Sequence, residues 1–96
     1  MAAIRPKRAT PRPFDLHWGR GQIVEEAAHS AEYHEPSMQL LQFEEGYEAV
    51  RFCYYDHAGR FQRSPLIVST SEMEGMRQAL EDTPRLRDFL RKLVDE

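Results

Sequence analysis

Four histidines, His17, His29, His34 and His57, and one cysteine, Cys53, have the widest chemical repertoire in this 96-residue chain. A metal centre would draw on His29 and His34 with Glu25, Glu26 or Cys53, since imidazole, carboxylate and thiolate are the usual zinc ligands. The spacing opposes it: residues five apart point about 140° apart on a helix and to opposite faces of a strand, so the two rings do not converge. Cys53 with His57 as base is the one nucleophile pair on offer. The cysteine lies in mid-strand, with no glycine-rich turn or helix N-terminus in the local sequence to stabilise a thiolate, and reads instead as a small residue packed against a neighbour. No G-x-S-x-G, H-E-x-x-H, Walker or dinucleotide glycine pattern occurs. The chain is therefore expected not to be an enzyme and to hold no metal or cofactor.

A second constellation is better formed. Arg51, Tyr55, Arg60, Phe61 and Arg63 fall on or beside one face of a hairpin predicted from Tyr47 to Ser69. Arginines interleaved with aromatic rings suit a single-stranded nucleic acid, whose bases stack on rings and whose phosphates pair with guanidinium groups. Tyr55 and Phe61 would be the stacking platform, and Arg51, Arg60 and Arg63 the phosphate contacts. The competing expectation is that this face packs against another strand, an N-terminal segment or a second subunit, with the arginines reaching to solvent.

The elements that must position these residues follow from local pattern. Tyr47 to Tyr55 is rich in aromatic and β-branched residues, Asp56-His57-Ala58-Gly59 supplies a turn, and Arg60 to Ser69 returns, with Pro65 fitting only an edge or a bulge. Side chains alternate along a strand, so the hairpin divides by parity. Val50, Phe52, Tyr54, Leu66 and Val68 make the expected core face; Arg51, Cys53, Tyr55, Phe61, Arg63 and Ile67 make the other. Met38 to Phe43 reads as a further strand. Residues 22–35 fit a helix or an irregular strand by periodicity, and ordered structure is expected to begin near Phe14, Leu16 and Trp18.

Ser69 or Ser71 can cap a helix in a box with Glu72 or Glu74, and Met73, Met76 and Leu80 form its apolar stripe. Thr83-Pro84 starts a second helix, striped by Leu86, Phe89, Leu90, Leu93 and Val94. Before all of this, residues 1–13 carry three prolines and no apolar periodicity, the composition of a flexible basic arm; residues 14–96 form one domain.

Charge is distributed unevenly. Residues 1–20 carry a net +4, whereas residues 21–50 hold seven carboxylates and no lysine or arginine. A lone cysteine, no apolar leader and no long apolar run predict a reducing cytoplasmic setting with no membrane span.

The succession Val50-Arg51-Phe52-Cys53-Tyr54-Tyr55-Asp56-His57-Ala58-Gly59, then Leu66-Ile67-Val68-Ser69 and the helix from Glu72 to Leu80, resembles transcriptional coactivators of the positive cofactor 4 type. The likeness covers about residues 38–82 and rests on pattern and turn placement. It implies single-stranded DNA binding, a four-stranded sheet followed by a helix, dimer formation, and a strand over residues 22–35. The second helix and the acidic stretch from Glu25 to Glu48 depart from it. Together these observations predict an α+β fold, an antiparallel sheet of three to four strands followed by two short C-terminal helices. Apolar residues on both hairpin faces and on two helices lead to an expected homodimer. The functional expectation is a single-stranded DNA- or RNA-binding module; the alternative is a protein-interaction or dimerisation domain with no ligand or catalysis of its own.

Overall fold

The computed structural model describes residues 8–62 and 65–95. Five strands, β1 (Arg12–Leu16), β2 (Gly19–Ala28), β3 (Glu35–Phe43), β4 (Glu48–Tyr55) and β5 (Leu66–Ser69), form one antiparallel sheet in the order β1-β2-β3-β4-β5. Helices α1 (Thr70–Glu81) and α2 (Pro84–Val94) follow. The fold is thus α+β as expected, with one strand more than the upper count. The extra strand is β1, which the proline content of the N-terminal segment conceals. Pro13 fits because β1 is an edge strand, where a missing N–H leaves no gap in the ladder. Residues 22–35 divide into the end of β2, a loop, and the first residue of β3.

The β4–β5 connection keeps the predicted turn. The Asp56 carboxylate accepts from the amides of Ala58 and Arg60 at 3.0 and 2.9 Å, and Gly59 takes a φ of 85° that a side chain would disfavour. Among the described residues Tyr55 and Phe61 bridge beyond the turn, the Gln62 amide donates to the Tyr54 carbonyl oxygen at 3.0 Å, and Leu66 pairs regularly with Phe52. Even residues pair with even and odd with odd, as Val50 with Val68 and Arg51 with Ile67.

The buried face is nonetheless the opposite of the expected one. Phe14, Ile23, Leu41, Phe43 and Ala49 make the core cluster, and Ser37, Gln39, Arg51 and Tyr55 are buried alongside. From β3 onward these are odd-numbered residues. On the even face Val68 is buried, whereas Phe52, Tyr54 and Leu66 are 40%, 45% and 57% exposed. Among the described residues no helix side chain packs on the odd face's core cluster. It is closed from within the sheet: Phe14 of β1 meets Phe43 of β3 edge-on at 4.9 Å, and Arg12 of β1 reaches Tyr55 of β4. The sheet coils so that its first strand and its fourth share an inner face, consistent with the twist strands carry.

A register shift between Ile23 and Glu25 lets β2 serve that inner face twice, with Ile23 opposite Leu41 and Glu26 opposite Gln39. One extra residue reverses parity, so an odd and an even position point the same way. At Gly21 the partner strand approaches so closely that an added Cβ would lie 2.0 Å from the Gln42 carbonyl oxygen.

Both helices begin where the sequence places them. Glu72 reaches back to accept from the Ser69 amide at 2.9 Å, and Pro84 follows the Thr83 cap. They differ from expectation in packing: α1 lies beside β5 and α2 beside α1, and among the described residues neither helix buries a side chain.

Candidate functional site

The inner face is graded. Its apolar end holds Phe14, Ile23, Leu41, Phe43 and Ala49, and its other end is polar and hydrogen-bonded. Glu26, with a side chain only 5% exposed, is the hub of the polar end. Its carboxylate accepts from Arg12 at 2.9 Å, from the Ser37 hydroxyl at 2.7 Å and from the Gln39 amide at 2.8 Å. Burial pushes its pKa up, but these three donors and the Arg12 charge outweigh burial and hold the carboxyl below its ordinary value. Gln39, fully buried, relays the network: its amide nitrogen also donates to the Tyr55 hydroxyl at 2.8 Å, and its oxygen accepts from Arg51 Nε at 2.7 Å. A buried carboxylate, two arginines and a phenol are thereby joined with their strongest hydrogen-bonding groups matched.

Of the residues singled out for nucleic-acid contact, the structure brings four near one another and buries two of them. Arg51 and Tyr55 are each 7% exposed. Tyr55 already carries a stacked partner, because the Arg8 guanidinium lies 3.6 Å from its ring centroid and Phe61 meets its edge at 5.4 Å. Arg51 in turn lies 4.9 Å from the centroid of the Phe61 ring. Phe61 is partly exposed, and Arg60 is exposed and paired with Asp56 at 2.9 Å. Arg63 lies outside the described residues, as does the arm before Arg8. Of that arm's described part, Arg8 binds Glu35 at 2.8 Å, and Arg12 and Pro13 belong to β1.

The histidines do not gather. His57 lies 3.6 Å from Glu35 and within 3.0 Å of the Glu32 carbonyl oxygen, and the His34 ring contacts Tyr54. Among the described residues no three of His, Cys, Asp and Glu could hold a metal ion. Cys53 is half-buried, and burial raises its thiol pKa although the Arg51 charge acts the other way.

The outer face was missed as a site because its composition is that of a core. Phe52, Tyr54 and Leu66 lie on it, and Leu93 of α2 faces Phe52 and Met38 across an apolar cavity of about 530 Å³. α2 therefore overhangs the sheet without closing on it. The stripe along the helices is exposed as well: Met73 44%, Met76 49%, Leu86 51%, Phe89 67% and Leu93 59%. Isolated exposed apolar residues are ordinary; here exposed apolar side chains stand both on the outer face of the sheet and along the two helices. No described helix is long and apolar enough to cross a membrane. Comparison with protein-family models, with curated proteins and with solved structures finds no match to this chain.

Proposed function

We propose that this chain is a protein-interaction domain that works through the outer face of its sheet and the apolar stripe of its helices, with no catalysis of its own. The observation that supports this reading most is the division of apolar side chains. The inner face completes a small core without the helices, while Phe52 and Leu66 on the outer face and Met73, Phe89 and Leu93 on the helices stay open. Burying a large apolar side chain is worth about 1.5–3 kcal/mol, so several left open together on one surface form a strong driving force for association.

Single-strand binding, the other reading that the sequence raises, would fall to Arg60 and Phe61 at the rim, and a base seeking Tyr55 would have to displace Arg8. One experiment separates the two. A photo-crosslinking amino acid is placed at Phe89 or Leu66, and at exposed His17 in the β1–β2 turn as a control, and the full chain is irradiated in the cells that express it. The proposed function gives discrete, nuclease-resistant protein adducts from Phe89 and Leu66 and none from His17. Adducts that nuclease removes, or none at either apolar position, would refute it.

A further inference from the structure

The partner that the open surface fits best is a second copy of this chain. We infer that two copies associate about a two-fold axis with α1 of one copy against α2 of the other; the inference rests on the interaction reading above and names its partner. Charge carries it. α1 holds Glu72, Glu74 and Glu81 against Arg77, a net −2, and Asp82 follows at its end. α2 holds Arg85, Arg87, Arg91 and Lys92 against Asp88, a net +3.

Within one copy this opposition goes unused. The helical ion pairs among the described residues are Glu74 with Arg77 at 3.2 Å and Asp88 with Arg91 at 3.8 Å, each inside one helix, and none joins α1 to α2. A two-fold contact uses the same patch on both copies, so an acidic helix and a basic helix in one patch meet their complements twice. An unrelated partner gains no such doubling. An anionic surface, whether lipid or nucleic acid, would attract α2 and repel the neighbouring α1.

The apolar stripes of Met73, Met76, Leu86 and Phe89 supply the centre of such an interface, with the charged residues as its rim.

Sedimentation velocity on the full chain tests this with two charge-reversed variants. Arg85→Glu with Arg87→Glu makes both helices acidic, and Glu74→Lys with Glu81→Lys makes both basic; all four positions are exposed, and circular dichroism checks that each variant keeps its fold. The wild-type chain is expected to be a dimer at micromolar concentration that weakens as salt rises from about 50 to about 500 mM. Each variant alone should dissociate at least about tenfold more readily, because like charges now face each other across the axis. An equimolar mixture should recover a dimer, since the acidic variant complements the basic one. A wild-type monomer, variants as dimeric as wild type, or a mixture that stays monomeric would each overturn the inference. If the wild type is monomeric while the adducts from Phe89 and Leu66 persist, the self-association inference alone fails; if the adducts vanish too, the interaction reading fails with it.

Discussion

Glu26 in β2 accepts a hydrogen bond from Arg12 in β1 at 2.9 Å, fixing the edge strand over the polar end of the inner face. Removing that carboxylate also strands the Ser37 hydroxyl and one hydrogen of the Gln39 amide. Breaking a buried ion pair from one side costs about 3–5 kcal/mol, so Glu26→Ala should lower unfolding stability by about 3 kcal/mol in urea titrations. Glu26→Gln keeps an acceptor and should cost less.

The same carboxylate sets an acid limit. Its folded-state pKa lies below the unfolded value, so the protein carries the full stabilisation above the unfolded pKa of about 4.5 and loses it as pH falls through the folded value. Urea midpoints measured between about pH 7 and pH 3 should therefore drop in the wild type below about pH 4.5. In Glu26→Gln that part of the drop should be absent.

Two glycines should respond oppositely to alanine. At Gly21 the new Cβ would meet the Gln42 carbonyl oxygen and the Phe43 Cα, both backbone atoms with little room to move. Gly21→Ala is expected to destabilise by at least about 3 kcal/mol, the upper end for overpacking, or to shift the β2–β3 register. Gly75 sits in α1 with open space around it, and Gly75→Ala should stabilise by up to about 1 kcal/mol through helix propensity. Thermal unfolding of the two variants beside wild type checks both signs.

Cys53 should behave as a structural thiol. Burial raises its pKa, so at about pH 8 an aromatic disulfide reagent should label the native chain slowly and the urea-unfolded chain at the rate of a free peptide thiol. Equal rates in both states would place the sulfur in solvent.

The sequence disclosed the elements better than the faces. The capping residues Ser69 and Thr83, the Asp56–Gly59 turn and the pairing parity of β4 with β5 are local properties, and each is found where its residues stand. Which hairpin face is buried depends on the coiling of the sheet and on Phe14 and Arg12 arriving from β1, contacts that no local pattern contains. Val50, Phe52 and Val68 look like a core by composition, and Arg51 looks like surface until Gln39 and Phe61 are seen around its guanidinium. The bulge between Ile23 and Glu25 hid Glu26 for the same reason, since strict alternation sends it to the opposite face from Ile23. The surface now proposed to act was therefore legible as residues and illegible as a site.

Hydroxyl-radical footprinting of the full chain, read by mass spectrometry at nanomolar and then micromolar protein, tests the division of faces most directly because methionine and aromatic side chains report on both. Met73, Met76, Phe52 and Phe89 are expected to label readily when dilute and to be protected at the higher concentration, while Phe14, Phe43 and Tyr55 stay unreactive throughout. Strong labelling of Tyr55 and Phe43 in the dilute folded protein, with Phe89 and Met76 protected there, would contradict the assignment of inner core and outer working surface.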